Sequence, residues 1–145
     1  MRIYLDNCCF NRPFDNQSSI RVKLETDAKL FVQLKVKEGK IELIWSYMLD
    51  FENEANPFPE RKSTIEKWRK LSGTDIIEND NILSKAVLLS KQGLRPKDAL
   101  HIACAIDAGC DYFLTTDDQI IKKMINSNDV IVLNPIDFIK IIEEL

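Results

Sequence analysis

The sequence predicts an α/β fold, a three-layer α/β/α sandwich with a central five-stranded parallel sheet, on three observations. Five short apolar runs alternate with longer segments whose apolar residues recur at helical spacing, and this alternation implies parallel pairing of the strands. The joints carry Gly, Pro, Asn, Asp or Ser, the residues that cap helices and make turns. A length of 145 residues with 45% apolar content suits one hydrophobic core, so a single domain over 1–145 is expected, undivided by repeats or Gly/Ser-rich linkers.

The first strand is read at Arg2–Leu5, an apolar run that ends at Asp6. About a dozen residues follow that are rich in turn formers, among them the stretch NRPFDN at 11–16, and these are expected to be loop. Ile20, Leu24, Leu30, Phe31 and Leu34 repeat at helical spacing, so 19–37 is predicted as a long helix stopped by Gly39. Residues 41–45 make the second strand. Ser46 caps a helix to about Ala55, broken by the Asn-Pro-Phe-Pro stretch at 56–59. Another helix runs to Leu71, a short third strand lies at 75–77, and Asn79 or Asp80 opens a helix to Gln92 ahead of Gly93. Pro96 begins the next helix in its first turn and Gly109 closes it. Residues 112–115 form the fourth strand, Asp117 begins a short helix, 130–133 form the fifth strand, and Pro135 leads into a final amphipathic helix.

Several function classes are disfavoured by composition. No run approaches the roughly 20 apolar residues of a membrane helix, and the opening MRIYLDNCCF lacks the pattern of a signal peptide, so a soluble, cytoplasmic protein is expected. Cys8, Cys9, Cys104 and Cys110 are too irregularly spaced for a disulfide scaffold, and a chain whose one histidine is His101 does not offer a zinc site. No glycine-rich phosphate loop exists among four glycines, which disfavours dinucleotide and nucleoside-triphosphate enzymes. A phosphatase acting through an aspartyl phosphate wants a second acid two residues after Asp6, where Cys8 stands. The net charge of −3 gives no basic footprint for nucleic acid, but divalent ions in an acidic pocket contact phosphate in place of Lys and Arg.

The chemistry lies in the acids. Open parallel sheets bind ligands beyond the carboxyl ends of their strands. Asp6 closes the first strand, Asp117 follows the fourth, Asp98 lies in the first turn of the helix begun by Pro96, and Glu52 is on the helix leaving the second strand. Convergent carboxylates repel one another, and a hard divalent cation resolves that repulsion while activating water for attack on a phosphodiester. Each acid also has a plain structural use. Asp117 suits a helix cap, Asp98 the positive end of a helix dipole, and Glu52 a solvated face shared with Asp50 and Glu54. Asp6 is harder to explain this way, because a carboxylate directly after a buried strand needs a partner or a cation.

The segments IYLDNCCFNRPFD, SYMLDFE, RPKDALHIACAIDAGCDYF and LTTDDQII, in this order over nearly the whole chain, resemble the PIN-domain nucleases, and among them the compact prokaryotic members similar to VapC toxins. The resemblance implies catalytic roles for Asp6, Glu52, Asp98 and Asp117. It places Mg2+ or Mn2+ on Asp6, Asp98 and Asp117, and makes RNA the substrate of an endoribonuclease. Glu52 takes the second place by its spacing of six residues from Ser46, with Asp50 as its rival on the opposite helix face. Thr115 takes the threonine of a T-x-D pattern, and Asp118 is a neighbour able to share the metal. Many relatives are toxins neutralised by a small antitoxin, and many are homodimers. Two departures bear on the hydrogen bonding around the acids: Asn7 stands where a small hydroxyl residue is common, and Cys8 where an asparagine is frequent in the toxin subgroup. Arg12 is a candidate for holding phosphate oxygens, as are Arg95 and Lys97 beside Asp98, while His101 reads as semi-buried packing. The alternative to the enzyme is a catalytically weak PIN-like module that binds RNA or a protein partner without cutting.

Overall fold

In the computed structural model, which describes residues 1–143, β1 (Arg2–Leu5) is the middle strand of the sheet. Ile3, Tyr4 and Leu5 are all fully buried, as a strand covered by helices on both faces requires. The other strands are β2 (Glu42–Ser46), β3 (Thr74–Ile76), β4 (Tyr112–Leu114) and β5 (Ile131–Leu133). Their order is β3-β2-β1-β4-β5, and every pairing is parallel. Tyr4 lies opposite Ile44 on one side and Phe113 on the other, so the ends of β1, β2 and β4 reach the same edge. The chain order reverses between β1 and β4, which makes that edge the switch point where α/β sheets bind ligands.

The helices are α1 (Asn7–Asn11), α2 (Ile20–Lys37), α3 (Tyr47–Glu54), α4 (Pro59–Leu71), α5 (Asp80–Lys91), α6 (Pro96–Asp107), α7 (Asp118–Lys123) and α8 (Pro135–Ile142), with a 3-10 turn at Arg12–Phe14. Helix α2 packs on α8 and α5 on α6, giving the outer layers of the sandwich. Caps fall where the sequence places them: Ser46, Asn79 and Asp117 each accept a backbone N–H at the start of their helices. Gly39 and Gly109 take the positive φ that ends α2 and α6. Among the described residues no helix is long and apolar enough to cross a membrane.

One expectation is corrected, and the long helix carries a feature its spacing did not announce. Residues 7–11 are helix rather than loop, because the Asp6 carboxylate caps the N–H of Asn7 and Pro13 enters only in the following turn. Of the apolar residues that mark α2, Phe31 packs partly against the core and the other four face outward. Ile20 is 79% exposed and Leu24, Leu30 and Leu34 are about half exposed, whereas Glu25, Lys29, Gln33, Val32 and Val36 are buried. The cause is Glu25, fully buried and held by Arg12 at 2.7 Å, Arg21 at 3.3 Å and the Asn134 amide, which fixes the rotation of the helix. Replacing Leu34 by Gln is therefore expected to shift stability by no more than about 0.5 kcal/mol in a thermal melt. Val32→Gln, on the buried face, is expected to cost several times as much by the same measurement.

Candidate functional site

At the carboxyl edge of the sheet, the single-residue step from β1 into α1 is Asp6 itself, with only 7% of its surface exposed. Its Oδ1 accepts the Asn7 N–H at 2.8 Å and its Oδ2 accepts the Thr115 hydroxyl at 2.8 Å, with the Cys8 thiol at 3.5 Å. Burial raises the pKa of Asp6 above its ordinary value, against the opposing pull of His101 and the Thr115 hydroxyl. The Thr115 oxygen also accepts the backbone N–H of Asp117 at 3.1 Å, so this residue, fully buried just past β4, ties two of the acids together.

Asp117 caps α7 through Oδ1, which leaves Oδ2 to meet the Arg95 guanidinium at 2.9 Å. The same guanidinium donates to Asp98 at 3.0 Å. The cap thus aims the second oxygen of Asp117 at Arg95. Arg95 stands between two acids that lie 19 positions apart in sequence, as a cation balancing both charges. Glu52, Arg95, Pro96, Lys97 and Asp98 line a cleft of about 550 Å³.

Glu52 is oriented from below. His101, on the face of α6 one turn beyond Asp98, is 1% exposed, and its Nε2 lies 2.5 Å from Glu52 Oε1. Its Nδ1 lies 2.6 Å from the Tyr4 hydroxyl, which is also 2.6 Å from Ser46 Oγ. With His101 neutral and Nε2 donating to Glu52, Nδ1 accepts the Tyr4 proton and the Tyr4 oxygen accepts from Ser46, so each link from Ser46 to Glu52 has a donor and an acceptor. Burial alone favours neutral Glu52, but the His101 hydrogen bond and charge outweigh it and lower its pKa; Lys97 and Asn7 add to this. His101 moves oppositely, its burial overcome by Glu52 and the neighbouring acids. Asp50 instead accepts the Trp45 indole N–H at 2.9 Å and lies 3.8 Å from Arg69, away from this chain of bonds.

The structure thus brings Asp6 and Asp117 together through Thr115, Asp98 and Asp117 through Arg95, and Glu52 onto His101. It engages Arg12 with Glu25 and Asp15, and Asp118 with Arg21, whose two contacts are 2.7 and 2.8 Å. Tyr4 enters unannounced, although a buried tyrosine usually needs a partner for its hydroxyl, and Ser46 bonds it in addition to capping α3. Among the described residues no three Asp, Glu, His or Cys side chains already form a cluster able to grip a metal ion. The donor set is nevertheless hard oxygen, which suits Mg2+ or Mn2+, and the Asp98–Asp117 pair already draws one cation onto itself.

The PIN domain model matches residues 3–125. No curated protein sequence matches the chain. Among solved structures, it is similar to VapBC2 from Rickettsia felis bound to a DNA fragment from their promoter, with a TM-score of 0.56 and 15% identity over 92% of this chain and 98% of that one. It is also similar to VapBC-1 from nontypeable Haemophilus influenzae, with a TM-score of 0.60 and 15% identity over 93% and 98%. At that identity the likeness is one of fold.

Proposed function

The chain belongs to the PIN-domain family, and on that premise we propose that it is a divalent-metal-dependent endoribonuclease, the toxin of a toxin–antitoxin pair. The observation that carries the reading is the convergence of Asp98 and Asp117 on one guanidinium, with Asp6 linked to the same rim through Thr115. Asp6, Asp98 and Asp117 would hold Mg2+ or Mn2+, and Glu52 completes the catalytic set. Bound there, such an ion lowers the pKa of a water and neutralises charge on the phosphate. Asp6, deep and poorly solvated, supplies a carboxylate whose negative charge the protein alone does not balance. Glu52, kept ionised by His101, stands ready to accept a proton. Asn7 and Thr115 orient the acids. Arg12 and Asp118, tied to Glu25 and Arg21, support the rim by bracing α2 against it. The shared fold with the two VapBC structures supports a small antitoxin as partner; homodimer formation and work in the cytoplasm belong to the same proposal.

One observation favours the alternative of a PIN-like module that binds RNA or a protein without cutting: Arg95 already satisfies the acid pair. Incubating a mixed panel of RNAs with Mg2+ or Mn2+, with EDTA as control, separates the two. Cutting that EDTA stops supports the enzyme; RNA binding without cutting under any metal supports the module. Arg95 itself gives a sharper expectation. Its side chain is 70% exposed, so Arg95→Gln is expected to leave the melting temperature unchanged. It frees Asp98 and Asp117, and calorimetric titration is expected to show Mn2+ binding several-fold tighter than to wild type. Weaker binding would mean that Arg95 helps to shape the site rather than competing for it.

A further inference from the structure

Away from the acid rim, α2 and α4 enclose a cavity of about 400 Å³ whose lining includes Lys29, Gln33, Lys37, Thr64, Lys67 and Trp68, and no acid. Lys29 and Gln33, one turn apart on the inner face of α2, are each only 4% exposed. The Gln33 Nε2 is buried and has no acceptor. Lys29 makes no ion pair among the described residues; its Nζ lies 5.6 Å from the Phe10 ring centre and 5.9 Å from that of Trp68. The carboxylate one turn before it, Glu25, is taken by Arg12, Arg21 and Asn134. Burial pulls the Lys29 pKa down to about 8, the signature of an ammonium short of a counter-charge and still protonated at neutral pH.

Buried polar groups are normally satisfied, and an unpartnered amide donor one turn from an ammonium that has aromatic rings but no carboxylate for company marks the place of an absent acceptor. We propose that this cavity binds a terminal phosphate group, with Lys29 and Gln33 donating to its oxygens at the floor and the exposed Lys37 and Lys67 completing the charge at the rim. A phosphate monoester carries up to two negative charges and three terminal oxygens, which matches a set of donors with three ammonium groups. Trp68, Phe14 and Leu71 add apolar wall beyond the donors, room for the body that bears the phosphate. That body is either a small nucleotide or the phosphorylated end of an RNA. The site shares none of the acid residues, so it stands or falls independently of the nuclease reading.

The test is calorimetric titration of the whole chain at pH 7 in EDTA, which removes metal-mediated binding at the acid rim. The probes are inorganic phosphate, AMP, and one oligoribonucleotide with either a 5′-phosphate or a 5′-hydroxyl. Phosphate-dependent binding is expected in wild type and in Asp98→Asn, and a loss of about tenfold or more in both Lys29→Met and Gln33→Leu. Lys29→Met removes an uncompensated buried charge and keeps the side-chain volume, so it is expected to fold, as circular dichroism will report. AMP binding with no gain from the 5′-phosphate on the oligonucleotide identifies a small ligand; a tenfold gain identifies an RNA end. The proposal is overturned if no probe binds wild type, or if both variants bind as well as wild type.

Discussion

Asp6→Asn is expected to lower the rate of RNA cleavage about a thousandfold while leaving the protein as stable as wild type or more so. The activity loss follows from removing the deepest carboxylate of a proposed metal site: a bound divalent ion contributes several kcal/mol, and ~4 kcal/mol corresponds to about three powers of ten. The stability effect has the opposite sign. Burial raises the pKa of Asp6 in the folded chain, so protonation favours folding at low pH. That contribution is present below the unfolded value and is lost as pH rises through the folded value, which leaves an ionised, poorly solvated carboxylate at neutral pH. Asparagine removes the charge and still caps α1 by accepting the Asn7 N–H. Melts across pH should show the variant gaining on wild type toward neutral pH and converging with it in acid. A Tm several degrees below wild type with cleavage intact would assign Asp6 to the fold rather than to the site.

His101→Ala carries the largest expected loss of stability. The ring is buried, and its removal opens a cavity, leaves the Tyr4 hydroxyl with Ser46 but without its acceptor at His101, and releases Glu52. The combined cost is expected to be about 3 kcal/mol, or on the order of 10 °C in Tm for a chain of this size. Part of the loss depends on pH. Glu52 has a lowered pKa, so its contribution is present above 4.5 and fades as pH falls through the folded value; His101 has a raised one, so its contribution is present below 6.5 and fades as pH rises through the folded value. The gap in Tm between wild type and variant should therefore be widest between those values. His101→Gln, which keeps a donor, should recover part of the activity lost with Glu52's orientation. A gap that does not change with pH would show that the ring only fills space.

The strands and most helix starts were readable in the sequence because their signals are local. Ser46, Asn79 and Asp117 announce their helices by side-chain chemistry that acts within three residues. Helix α1 was not readable, since Asn and Cys are poor helix formers and the five residues are held by Asp6 and by packing. Spacing revealed α2 but not the face it buries, because one buried ionic contact, Glu25 with Arg12 and Arg21, outweighed a row of leucines. The same contact explains why Arg12 and Asp118, placed near the acids by sequence distance, are occupied elsewhere. The placing of Asp6 and Asp117 at one edge could be inferred from strand ends, and that of Asp98 from the first turn of the helix begun by Pro96. The parts that align them, Thr115 between two acids and Tyr4 with His101 beneath Glu52, depend on cross-strand register and on which face of α6 turns inward.

The account rests on the acid rim being a seat for a divalent cation, and Mn2+ titration followed by electron paramagnetic resonance tests this most directly. Wild type is predicted to take up Mn2+ at a saturable site that Mg2+ displaces, with Asp98→Asn and Asp117→Asn each weakening uptake by tenfold or more while both remain folded. Equal uptake by wild type and both variants, or none by any of them, would contradict it.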